Sequence, residues 1–137
     1  MQLLLFSCGG AYHDQQLLHE AGMLSDSLPA DALTKLQAVN NSGNFKRPDY
    51  AKYGLLLTRT MLMTGNRIPS DSLVSLAIAY YRKTNNSTAL FDALYTKAMF
   101  FFSTSAYDSA LHYFAAAENV IPPGVSQRKR IRTQRMS

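Results

Sequence analysis

Apolar residues recur along this chain at helical spacing, in six blocks separated by turn residues. Between Gln15 and Leu24 the positions Leu17, Leu18, Ala21 and Leu24 share one helix face. Pro29 suits the first turn of a second helix, where no N–H donor is needed, and Asp26 or Ser27 stands ahead of it as a cap. Ala32, Leu33, Leu36 and Val39 give that helix a buried stripe, and Asn40-Asn41-Ser42-Gly43-Asn44 supplies turn chemistry after it. Pro48 opens a third helix with Tyr50, Tyr53, Gly54, Leu57 and Met61 in register and Leu56 beside them; Gly65-Asn66 stops it. Ser70-Asp71 caps a fourth, whose face reads Leu73, Leu76, Ala77, Tyr80 and Tyr81 before Lys83-Thr84-Asn85-Asn86. Asn86 or Ser87 caps a fifth, with Leu90, Leu94, Ala98 and Phe101 aligned. The sixth carries Tyr107, Ala110, Leu111, Phe114 and Ala117 and runs out before Pro122-Pro123-Gly124.

No stretch alternates apolar and polar residues for long, and β-branched residues are sparse, so the pattern predicts an all-α fold. Glycine inside a helix costs about 1 kcal/mol relative to alanine. Gly54 therefore marks a place where a neighbouring helix is expected to come close.

Helix, short turn, helix and proline, over residues 91–124, resembles the tetratricopeptide repeat family. Leu94, Ala98 and Phe101 match the large, small and aromatic positions of that family's first helix. Ala110, Phe114, Ala117 and Pro122 match the second, with Tyr107 as the aromatic at the turn. Small residues at Ala98 and Ala110 would let two helices cross closely while aromatics fill the space on either side. Lys97 departs from the pattern, standing where the family prefers an apolar residue, and Ser105 replaces its turn glycine. Earlier units are more degenerate: Gly54 and Leu57 match a first helix, Ala77 and Tyr81 a second.

The resemblance implies a right-handed superhelix of antiparallel helix pairs, about three of them, over residues 15–124. Such units bury their apolar faces only by stacking, and the stack presents a concave groove to a partner. The implied function is a non-catalytic scaffold that binds a protein or peptide. Polar and aromatic residues on the first helices are the groove candidates: Tyr53, Arg59, Tyr95 and Lys97. Phe102 joins them, because Phe100, Phe101 and Phe102 cannot share one helix face.

Leu3-Leu4-Leu5-Phe6-Ser7-Cys8-Gly9-Gly10 resembles the end of a bacterial lipoprotein signal, in which the cysteine is lipidated. The apolar run is shorter than the roughly 7–15 residues of a signal core, and no basic residue precedes it. Residues 1–14 are thus read as a truncated signal-like segment and linker, with Cys8 as the lipidation site. With Ser-Asp-Ser-Leu before a helix and Tyr-Tyr at its end, the chain is similar to repeat lipoproteins of Bacteroidota, or to the N-terminal sensor part of repeat-containing regulators. The expected location is the cell envelope, lipid-anchored, with the cytoplasm as the alternative. A sensory fragment of a larger transcriptional or two-component regulator is a second functional reading, and a glycan-binding outer-membrane lipoprotein a third. Asp26-Ser27-Leu28, Asp71-Ser72-Leu73 and Asp108-Ser109-Ala110 resemble O-glycosylation sites of that group and equally suit helix starts.

Charge narrows the field. The net charge is +5, and all five excess cations lie in Arg128, Lys129, Arg130, Arg132 and Arg135. Residues 1–127 are formally neutral, so no broad basic face for nucleic acid is expected there. Residues 125–137 read as a disordered basic tail, either genuine or the product of a truncated or frame-shifted gene. One cysteine excludes an intrachain disulfide. His13 and His19 are spaced wrongly for a zinc pair on a helix, and no glycine-rich phosphate loop occurs. No cofactor, metal site or catalytic residue is expected.

Overall fold

The computed structural model describes residues 2–121, with side chains from residue 10 onward. These residues form six α-helices and one short 3-10 turn, and none is in a strand. The helices are α1 (Gln2–Leu24), α2 (Pro29–Gln37), α3 (Arg47–Met63), α4 (Ser72–Lys83), α5 (Ser87–Ser103) and α6 (Tyr107–Asn119); the 3-10 turn is Ser42–Asn44. The chain divides into two compact units, Met1–Ile68 and Pro69–Ser137.

In the first unit α1 begins at Gln2, well ahead of Gln15, so the stretch read as a signal-like segment and linker has helical backbone. Only Gly9 and Gly10 weigh against helix there. Helices α1 and α2 run antiparallel: Asp14 meets Asn40 and Asn41, and further along Glu20 meets Lys35 at 3.0 Å. The Lys35 ammonium, by hydrogen bond and charge, lowers the Glu20 carboxyl from its ordinary value. Leu18, Ala21, Ala32, Leu36 and Leu56 form the core, with Leu24, Phe45, Tyr53 and Leu57 packed on it. Ala21 and Ala32 are wholly buried, and side chains this short let α1 and α2 approach. Helix α3 packs against both. Gly54 is buried on α3, and a close approach is found at Gly22, where a Cβ would come within 3.1 Å of the Lys52 Cε. Thr58 and Thr60, buried on α3, turn their hydroxyls back to the carbonyls of Gly54 and Leu56 at 2.8 and 2.7 Å, so neither is unsatisfied.

In the second unit α5 packs against α4 on one side and α6 on the other. Rings pair along the α5–α6 hairpin, from Phe102 and Tyr107 beside the turn to Tyr95 and Phe114 further out. Leu94, Ala98, Ala110 and Ala117 are buried there, and Phe101 and Phe114 are half-buried. Tyr107, expected as a packing residue, is 55% exposed. Pro122 lies outside the described residues.

Two helices bury only part of the expected stripe. On α4 the buried set is Val74, Ala77, Ile78 and Tyr81, while Leu76 is exposed. On α6 Ala110 and Ala117 are buried, while Leu111 is 60% exposed. Both helices are apolar around much of their circumference, so periodicity allowed more than one stripe.

The helix stops are regular. Helices α3, α4 and α5 each end in threonine followed by a left-handed residue: Gly65 (φ 75°), Asn85 (φ 57°) and Ser105 (φ 64°). The next N–H, of Asn66, Asn86 or Ala106, reaches back to the carbonyl of Met61, Tyr81 or Phe101 at 2.8, 3.1 and 2.9 Å. This is the Schellman closure, which satisfies carbonyls the helix leaves unpaired. The starts agree less with expectation. Asn86 Oδ1 does accept from the Ala89 N–H at 3.1 Å. Neither Asp26 nor Ser27 caps α2; the cap position is Leu28, and Asp26 pairs with Arg59. Asp71 holds the α4 cap position without capping, and Ser70 Oγ accepts from the Ser72 N–H.

Candidate functional site

The five groove candidates divide between the units, and most are engaged inside their own. Tyr53 packs on the first core, its ring 5.8 Å from Phe45 and 6.3 Å from Tyr50. Arg59 forms an ion pair with Asp26. Tyr95 stacks on Phe91 at 5.9 Å and meets Phe114 edge-on at 5.2 Å. Lys97 donates to Ser75 Oγ at 2.9 Å, lies 3.4 Å from the Asp71 carboxylate and covers the Tyr113 ring. These four side chains hold structure as well as any partner they meet. Phe102 differs: it is 54% exposed.

Phe102 belongs to an exposed apolar group at the α5–α6 turn. Its ring meets Tyr107 edge-on at 5.5 Å, and Leu111 follows Tyr107 by one helical turn on the same face of α6. Phe100 and Phe101 turn inward by comparison, Phe101 stacking on Tyr113 at 5.6 Å. The triple-phenylalanine argument, that one ring must point outward, thus resolves onto Phe102.

A second feature lies in the first unit and escaped the sequence reading. Asp14 is 4% exposed. Its Oδ1 accepts from the Asn40 N–H at 3.0 Å and its Oδ2 from the Asn41 N–H at 3.1 Å. One carboxylate thereby fixes the loop that leaves α2. Beside it lies a hollow of about 220 Å³, walled by Gly10, Ala11, Asp14 and Gln15 of α1 and by Asn40, Asn41, Asn44 and Phe45 of the loop. Gln15 also donates to the Asp49 carboxylate at 3.4 Å. A sequence signal existed: Asp14 sits three and four residues before Leu17 and Leu18, which puts an acid on the apolar face of α1.

Cys8 lies on α1 as backbone, and its side chain is outside the described residues, as are the basic tail residues Arg128 to Arg135. His13, His19 and His112 are exposed. Among the described residues no three His, Cys, Asp or Glu side chains gather to hold a metal, and no helix is long and apolar enough to cross a membrane. Compared with protein-family models, with curated proteins and with solved structures, the chain matches none.

Proposed function

We propose that this chain is a non-catalytic scaffold of the tetratricopeptide type, a right-handed superhelix of about three antiparallel helix pairs that binds a partner protein or peptide. The observation that carries the reading is the likeness of α3 to α5. Each spans 17 residues, and each ends in threonine and a left-handed residue. Aligned on those ends, Ala51, Gly54, Leu56 and Thr58 fall opposite Phe91, Leu94, Thr96 and Ala98, and all eight are buried. Stacked repeats need such a recurrence of stop signal and burial pattern, because each unit buries its face against the next. In this register Thr58, rather than Gly54, takes the small position that Ala98 takes in α5.

The α5–α6 hairpin adds support. Ala98 and Ala110 are buried where the family's small residues would stand, and rings flank them. The exposed group of Phe102, Tyr107 and Leu111 is the apolar surface that a partner segment would cover. Lipidation of Cys8 would tether the scaffold to the cell envelope, leaving Asp14 and the Leu17–Leu18 face of α1 in place.

Photo-crosslinking residues placed at Tyr53, Tyr95, Phe102 and Tyr107 in cells test the scaffold. One discrete adduct, strongest from Phe102 and Tyr107, is expected; no adduct from any position of a folded protein would overturn the reading. For the tether, a palmitate analogue should label the wild-type chain and not Cys8→Ala. Absence of label in both removes the lipid from the proposal and leaves the scaffold standing.

A further inference from the structure

We infer that the hollow between α1 and the α2–α3 loop binds a primary ammonium group, with Asp14 as its counter-ion. The inference does not rest on the scaffold reading. It starts from charge. Asp14 is almost wholly buried, and among the described residues no cation pairs with it. A buried ion is costly unless compensated. The two backbone N–H groups compensate part of it, but a carboxylate has about four acceptor sites, so roughly half its capacity stays open. The group that would use the rest must reach it through the hollow that Asp14 itself lines.

The lining sorts the possible guests. It contains no Lys, Arg or His, so nothing there draws an anion. One carboxylate leaves the second charge of a divalent metal uncompensated, and no other acid lines the hollow. An apolar guest would desolvate the amides of Gln15, Asn40, Asn41 and Asn44 without replacing their hydrogen bonds. A cation carrying N–H donors meets every condition: the carboxylate neutralises it, the amide carbonyls can accept from it, and its alkyl stem can lie against Phe45. One ring is not the aromatic cage that a quaternary ammonium needs, so the three-donor –NH₃⁺ is favoured. Gly10 and Ala11 leave the room, and a Cβ added at Gly10 would meet nothing within 4 Å. The ammonium can come from a free alkylamine or from a lysine side chain of a peptide.

Backbone ¹⁵N–¹H resonances of Asn40 and Asn41 report on Asp14 directly. The full chain is titrated with n-butylammonium chloride and with Nα-acetyl-lysine methylamide, against tetramethylammonium chloride and Nα-acetyl-norleucine methylamide. Saturable shifts from either primary ammonium, and none from the norleucine compound, are expected; which of the two binds better identifies the source. Ala11→Phe fills the hollow from an exposed helix position and should weaken binding by about tenfold or more with the other resonances unmoved. Asp14→Asn should weaken it similarly, and Ala11→Phe carries the test if that variant loses the loop. No saturable shift from either ammonium, or equal shifts from norleucine or tetramethylammonium, overturns the inference.

Discussion

The ammonium of Lys97 lies 4.7 Å from the centre of the Tyr113 ring. The same nitrogen donates to Ser75 and approaches Asp71. A single side chain on α5 thus joins α4 on one side to α6 on the other. In the sequence Lys97 is a departure from an apolar position and a candidate for partner contact. In the structure its side chain is 13% exposed, and its charge is used up on three neighbours.

Removing that side chain tests the point. Lys97→Ala should cost about 1–3 kcal/mol in urea unfolding, because it deletes a packed stem, a charge-assisted hydrogen bond and a cation–π contact. Lys97→Met keeps the stem and should cost less. An unchanged midpoint for the alanine variant would show that the network carries no stability.

Ser105 holds a left-handed backbone that L residues other than glycine adopt at a penalty. Ser105→Gly should therefore stabilise the chain by about 0.5–1 kcal/mol despite the added flexibility of the unfolded state. Gly65→Ala, at φ 75°, should destabilise it by about 1 kcal/mol. Thermal melts of the two variants should move in opposite directions.

Neighbouring residues on α6 should respond in opposite ways to a change of size. Ala110 is 1% exposed, so Ala110→Leu should overpack the α5–α6 crossing and cost about 1–3 kcal/mol. Leu111 is exposed, and Leu111→Ala should stay within about 0.5 kcal/mol. If Leu111→Ala proves the more damaging, Leu111 packs inward as its place in the apolar stripe predicted.

Tyr81 gives the high-pH behaviour. Burial, with smaller contributions from Tyr80 and Asp92, pushes its phenol from an ordinary value near 10 up to about 12. Between those values the unfolded chain loses the proton while the folded chain keeps it, so the unfolded state binds fewer protons and stability falls as pH rises. The contribution is complete below about pH 10 and lost by about pH 12. Tyr81→Phe, which has no proton to lose, should flatten the decline across that window in denaturant midpoints.

What could be read from the chain alone was local. Period, proline and turn residues are properties of a few consecutive positions, and they placed six helices and the stops at Gly65 and Asn85. The Asn86 cap belongs with them, since its partner is three residues away. The candidate sites were less legible. Phe102 followed from the geometry of three consecutive rings, but the roles of Arg59 and Lys97 depended on acids far along the chain, Asp26 and Asp71.

The tertiary structure decided which residues of the α4 and α6 stripes turn inward, and which groups meet the Asp14 carboxylate. An α-helix apolar on several sides has no preferred face until a neighbour of matching shape covers one. Val74 and Ile78 won over Leu73 and Leu76 on α4, and Ala110 and Ala117 over Tyr107 and Leu111 on α6. The charge of Asp14 was likewise visible from the start, but its two backbone partners come from a loop 26 and 27 residues away. A stripe is written in the sequence as a period; its partner is chosen by packing, which depends on residues the period does not contain.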